Sequence, residues 1–324
     1  SGGLMDALPF QPLVRQSNCS IGQLTPETGT LLAYLSSRFN YLDAEEWREQ
    51  LLAGNLLRNG HPATADELLC PGDQLQFQPR FLPEPAVSWD IVILHEDQDS
   101  LVVVKPGNLP CHPAGRFFNH TLWAWLKQFL HLPEVHFCQR LDRETSGLVI
   151  VAKTAAAAAQ ISRALHSCGA VKEYLVIVHG AFPDEEYCRG WLYPDRDSAV
   201  RKKRVFSSRE PCEVPGHCES ASTYFRRLAG GASSSLLLAR LETGRTHQIR
   251  ATLHSLGYPV AGDKLYGLDE QFFLRQAQGQ LTGADYARLR FPRQALHATR
   301  IVFARPGREP EEYHSPLPAD LQLF

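Results

Sequence analysis

The stretch Gln139-Arg140-Leu141-Asp142-Arg143-Glu144-Thr145-Ser146-Gly147-Leu148-Val149-Ile150-Val151-Ala152-Lys153-Thr154 decides how the chain is read. It places an aspartate between two arginines, directly ahead of the apolar run Leu148 to Ala152. Such a run, bounded by polar residues, reads as a buried strand. Taken alone, Asp142 is a turn residue in a surface ion pair with Arg140 or Arg143. A carboxylate at the mouth of a buried strand also suits a reactive group fixed at the edge of a sheet. Thr154 is a good N-cap for the alanine-rich helix that follows, which Gly169 ends.

Working outward, KEYLVIVHG (172 to 180) is a second strand, with Tyr174, Val176 and Val178 on one face. STYFRRL (222 to 228) and SLLLARLE (235 to 242) form a hairpin around Gly230-Gly231. Thr243-Gly244-Arg245-Thr246 turns into the helix HQIRATLHSL, with Thr246 as a candidate cap. His247, Arg250 and His254 share one face of that helix, beside an apolar stripe of Ile249, Leu253 and Leu256. Upstream, residues 91 to 94 and 101 to 104 are strands of a hairpin, and Thr121 to Leu130 is a helix. Strands and hairpins with a few helices, and no regular βαβ repeat, give α+β with a mixed, largely antiparallel sheet and flanking helices. No Gly-x-Gly-x-x-Gly or phosphate-loop motif supports nucleotide-cofactor chemistry.

The N-terminal part has a different texture. Residues 1 to 20 read as a flexible arm, and Ser1 to Leu4, ahead of the single methionine Met5, as a cloning remnant. Residues 21 to 79 form a compact module. It has a helix opened by Thr25-Pro26, a helix with an Asp43–Glu46 capping box, a hairpin at Asn59-Gly60, and the strand in CPGDQLQF. Residues 80 to 88, overlapping the proline-spaced PRFLPEPAV (79 to 87), are a linker to a catalytic domain at 89 to 324.

The 324 residues carry a net charge of -2, so overall charge does not announce a nucleic-acid binder. A local cluster does: Arg201, Lys202, Lys203 and Arg204, with Arg209 close behind. It reads either as a solvated run or as a set of phosphate contacts. The eight cysteines form no Cys-x-x-Cys pair and read as reduced thiols. Cys212, His217 and Cys218 lack a second ligand pair at finger spacing, so no metal is assigned. No apolar run is long enough to span a bilayer.

Three separated motifs are similar, in order and spacing, to the RluA-type pseudouridine synthases: RLDRETSGLVIVAKT, KEYLVIVHG and LETGRTHQIRATLHSLGYPVAGDKLYG. The lead-in ILHEDQDSLVVVKPGNLPCHP and the late LHATRIVF fit the same pattern. The resemblance implies the pseudouridine synthase fold with a central cleft, and isomerisation of uridine in ribosomal or transfer RNA without cofactor or metal. It implies Asp142 as catalytic carboxylate, Tyr174 packing on the flipped base, and Arg250 pairing with the aspartate. Arg140 would take the place of the displaced base, and Ile249 would wall the uracil pocket. Arg245, His247 and the 201–204 cluster would meet substrate. The family most often has His where this chain has Gln139, which reads as structural. The N-terminal module resembles the S-four-like RNA-binding domain, but its three arginines face eight carboxylates, unlike that family's basic RNA face. A cytoplasmic monomer is the expectation. Two rivals are a non-catalytic RNA-binding protein or chaperone on the same fold, and a hydrolase using Glu144 or Asp263 as a second carboxylate.

Overall fold

A computed structural model describes residues 8–24, 29–80, 82–211 and 217–322. The chain folds as two compact units. One gathers the described residues up to Val87 with Pro110–Pro133; the other gathers Ser88–Leu109 with the described residues from Glu134 onward.

The first unit is built from β1 (Ser17–Ser20), α1 (Leu31–Arg38), α2 (Ala44–Leu52), β2 (Leu56–Arg58), β3 (His61–Pro62) and β4 (Gln74–Phe77). The sheet runs β1-β4-β2-β3, antiparallel throughout. The capping box of α2 forms as the sequence predicts: Asp43 accepts from Glu46 N at 2.8 Å and Glu46 accepts from Asp43 N at 2.9 Å. Asn59 and Gly60 turn the hairpin with φ of 50° and 85°. Leu31, Leu35, Trp47, Leu56, Leu75 and Phe77 close the core.

Two expectations need correcting here. The supposed arm contributes β1, whose pairing with β4 gives Ser17–Ser20 backbone partners that an aperiodic sequence does not advertise. The first helix begins at Leu31, because Thr30 is extended and its side chain accepts from Ala33 N. The expected start at Thr25-Pro26 lies outside the described residues.

Residues 110–133, assigned by sequence position to the catalytic domain, instead belong to this unit and include α3 (Leu122–Gln128). Polar contacts hold them there. The Glu84 carboxylate accepts from the backbone of Phe118, Asn119 and His120 at 2.6–2.9 Å. Arg116 donates to Glu46 at 2.5 Å.

The second unit centres on one sheet of eleven strands: β5 (Val92–Glu96), β6 (Ser100–Lys105), β7 (His136–Phe137), β8 (Ser146–Ala152), β9 (Val171–His179), β10 (Glu185–Pro194), β11 (Arg204–Ser207), β12 (Glu219–Gly230), β13 (Ser234–Leu241), β14 (Leu296–Phe303) and β15 (Glu311–His314). The path is β11-β10-β12-β13-β9-β14-β8-β6-β5, with β15 on β14 and β7 on β8. Every pair is antiparallel except β14 with β8. The mixed, largely antiparallel sheet is therefore present as expected.

The parallel step lies next to the opening stretch. Gly147 has φ +113°, and a Cβ there would run into the backbone of Ala298. Only glycine allows that approach, which brings β14 against the start of β8. Every residue of β8 is buried.

The helices are α4 (Ala155–Leu165), α5 (Gln248–Ser255), α6 (Gln271–Ala277) and α7 (Gly283–Leu289). Thr154 caps α4 as predicted. Beneath α5 lies the main core, including Val176, Val178, Leu192, Phe225, Leu237, Ile249 and Leu253. The sequence did not disclose β10, α6 or α7, and the basic cluster at 201–204 runs into β11. No helix among the described residues is long and apolar enough to cross a membrane.

Candidate active site

Asp142 lies in the short link between β7 and β8, where its carbonyl accepts from Thr145 N at 3.2 Å. Gln139, three residues earlier, steadies this link. Its amide donates to Leu148 O at 3.2 Å and accepts from Ile150 N at 3.3 Å. An amide satisfies a donor and an acceptor of β8 at once, so Gln139 is structural, as its position suggested.

The Asp142 carboxylate faces α5. Arg250 Nη1 donates to Oδ2 at 2.7 Å, and His247 Nε2 lies 3.7 Å from Oδ1. The Asp142 side chain remains 31% accessible while Arg250 is 8% accessible. The aspartate is thus deep yet open, as a group that must receive a substrate has to be. Burial pushes the carboxyl pKa up, but the Arg250 charge overrides it, with help from His247 and Gln294, and holds it down at about 2.

Arg250 is itself fixed. Its Nε and Nη2 donate to both oxygens of Asp263 at 2.6 and 2.9 Å. Asp263 is fully buried, and its Oδ1 also accepts from Leu265 N and Tyr266 N, each at 2.9 Å. The Tyr266 ring lies under the guanidinium, with Cζ 4.8 Å from the centroid. The bidentate clamp and the stacked ring leave one nitrogen, Nη1, aimed at Asp142.

Tyr266 also reaches His247. Its hydroxyl accepts from Arg204 N at 2.8 Å and lies 2.9 Å from His247 Nδ1. Burial and the Arg250 charge push the imidazole pKa down to about 4, so the ring is neutral at physiological pH. His247 rather than Thr246 occupies the N-cap of α5, in the left-handed region with φ 60° and no side-chain cap bond. The histidine is placed by Tyr266, not by helix capping, which corrects the expected role of Thr246.

Tyr174 stands on β9, whose neighbours are β13 and β14. Burial first, and then the Asp142 charge, raise its phenol pKa far above the usual value. It stays protonated, and its ring packs partly buried against the core beneath α5. Ile249 is buried in the core beneath α5. Arg140 is exposed and has no ion pair among the described residues.

The 201–204 cluster divides. Lys203 bonds Glu270 at 2.8 Å and Arg204 pairs with Glu219 at 3.1 Å, so both already serve internal contacts. Arg201 is exposed. Lys202 lies over the Phe273 ring at 4.3 Å, and its pKa is lowered by desolvation and then by the Arg250 charge. Arg245 donates to Ser220 O at 3.1 Å and lies 3.5 Å from Glu219. Cys212 lies outside the described residues, and His217 lies 3.9 Å from Glu219.

The two carboxylates a hydrolase would recruit are committed elsewhere. Glu144 takes the Lys264 ammonium at 3.0 Å and the Gln276 amide at 3.0 Å. Asp263 holds Arg250. Both have lowered pKa values despite burial, so neither keeps a proton to donate to a leaving group. Sequence reasoning missed Tyr266 and Gln294 and the clamp role of Asp263. The stretch GDKLYG contained the first and last of these, but only the fold brings it under α5.

The profile of the RNA pseudouridylate synthase family matches residues 99–255. Ribosomal large subunit pseudouridine synthase D of Yersinia pestis is 32% identical over 262 residues, covering 79% of this chain and 75% of that protein. The chain belongs to the RNA pseudouridine synthase family. Human pseudouridylate synthase RPUSD2 is 34% identical over 238 residues, covering 73% of this chain and 42% of its own length. Several of the curated relatives are thus much longer, and the chain spans about two fifths of this one. The solved structure of human RNA pseudouridylate synthase domain containing 1 shares the fold, with a TM-score of 0.54 at 24% identity, covering 72% of this chain and 86% of that one. The matched region of this family member contains Asp142, Tyr174 and Arg250 together.

Proposed function

We propose that this chain isomerises uridine to pseudouridine in structured RNA, ribosomal or transfer, with Asp142 as the catalytic carboxylate. The observation that carries the reading is the chain of contacts Asp142–Arg250–Asp263. It keeps one carboxylate ionised and still open to substrate. Breaking the bond between uracil N1 and the ribose requires a carboxylate at the anomeric carbon, as nucleophile, base or charge stabiliser. The base then turns and rejoins through C5, and the C5 proton is lost.

The remaining residues fit around that step. Tyr174, as a protonated phenol, stacks on the uracil and holds it while it turns; such stacking contributes about 1–3 kcal/mol per base. Ile249 backs the pocket. Arg140, exposed and uncommitted, fills the gap left by the extruded base. Arg245, Arg201 and Lys202 approach the backbone phosphates, and His247 lines the pocket as a neutral group. The first unit, with its S-four-like order but acidic charge, leaves the electrostatic grip to the second.

The test is release of tritium from C5 of uridine when RNA from cells lacking this protein is incubated with it. Release confined to a few sites supports the reading. No release from any cellular RNA overturns it.

A further inference from the structure

Lys172 lies on β9 two residues before Tyr174, and alternation along a strand puts both on the same face. Its neighbour Glu173 faces the other way and pairs with Arg300 at 3.3 Å. Lys172 is only 8% exposed, and among the described residues its ammonium has no hydrogen-bond or ion-pair partner. The nearest atom to the point where Gly244 would carry a Cβ is Lys172 Nζ, at 3.8 Å. Gly244 is followed by Arg245, a second cation.

A lysine sunk this far loses part of its hydration, and no anion among the described residues offsets that cost, while its ammonium keeps contact with solvent. Here the cost is compounded by a like charge: desolvation lowers the Lys172 pKa, and Arg245 lowers it further. Asp142 does not supply the anion: no bond or charge interaction links it to Lys172. An anion from outside would find this ammonium accessible, two residues along β9 from Tyr174.

We propose that Lys172, facing Gly244, forms the seat for one backbone phosphate of the nucleotide whose base meets Asp142 and Tyr174, with Arg245, already held by Glu219 and Ser220, at its edge. This rests on the synthase reading above. Gly244 matters because an added methyl would stand between the ammonium and an incoming phosphate oxygen. The lysine thereby couples the ribose's position to the carboxylate through a fixed strand rather than a loop. Lys172 is a substrate-positioning residue with no part in bond breaking.

The test uses the full chain and RNA from cells lacking it, with affinity measured as a function of salt. Removing one phosphate contact should reduce the slope of log affinity against log salt by about 0.7–0.9. The binding defect of Lys172→Met should therefore shrink about threefold between about 50 and 200 mM salt. Lys172→Met should melt no lower than wild type, because it removes an unpaired buried charge. Lys172→Arg should keep the wild-type slope. Gly244→Ala, which keeps the lysine and meets no backbone, should weaken binding in the same salt-dependent way. Wild-type affinity and slope in both Lys172→Met and Gly244→Ala would overturn the proposal, as would a lowered melting temperature with unchanged binding. Tritium release by the wild type is a separate arm. Its failure would remove the synthase reading while the salt slopes still report on the phosphate seat.

Discussion

At the scale of the residue, the site is an arrangement of charges that fixes protonation states. Asp142 has a lowered pKa, so it gives stability above the ordinary carboxylate range that is lost only as pH falls toward about 2. His247 is neutral above about 4. Neither group changes charge between pH 5 and 8, so tritium release should show no ionisation of either across that window. Arg250→Met removes the cation and leaves burial to dominate. The Asp142 pKa then rises, and the acid limb of the rate profile moves up into the measurable range. The same change strands Asp263, which is fully enclosed, and should cost about 3 kcal/mol in a denaturant titration, the low end for a broken buried pair because Asp142 remains partly open. An unchanged acid limb would show that Arg250 does not set the Asp142 charge. Much at this scale was legible in the sequence: Asp142, Tyr174 and Arg250 came from three motifs. Asp263 was legible only as a carboxylate, because its bidentate hold on Arg250 depends on the turn that carries it under α5.

At the scale of the element, the parallel step from β8 to β14 positions Asp142. β8 was readable because its residues are apolar without interruption, as in a strand buried on both faces. Its partner was not readable, because pairing between residues 146 and 297 leaves no local trace. Gly147 is where the two strands meet. Gly147→Ala puts a methyl into the Ala298 backbone at a φ that side chains avoid, and should cost about 2–3 kcal/mol of unfolding free energy while cutting turnover. A variant with wild-type stability and turnover would show that the close approach is not needed. The missed elements are short or polar: β11 lies within a basic run, and β1 is Ser-Asn-Cys-Ser, which no periodicity marks. The N-terminus of α5 was misread for another reason. A threonine one residue early looks like a cap, but Tyr266 holds His247 in a left-handed conformation that propensity does not anticipate.

At the scale of the whole molecule, the chain does not divide where its linker suggests. Residues 110–133 belong with the first unit, held by Glu84, Glu46 and Asn119. A chain cut at residue 88 therefore loses the partners of an internal segment. It should aggregate or elute broadly in size exclusion, while the intact chain gives one symmetric peak. A well-behaved 88–324 fragment would contradict this division. The sequence could not reveal it, because linker composition marks where a chain leaves a unit and not where it returns. Family membership, by contrast, was legible from motif order, and the family match over residues 99–255 and the 32% identity to the Yersinia pestis protein bear it out.

We propose Asp142 as the reactive group of an RNA pseudouridine synthase. The most direct test compares tritium release from C5 of uridine by wild type and by Asp142→Asn on the same RNA, at enzyme concentrations that saturate binding of both. Release by the wild type, and none above background by an Asp142→Asn protein that still binds the RNA, is the predicted result. Equal release by the two proteins would contradict the account.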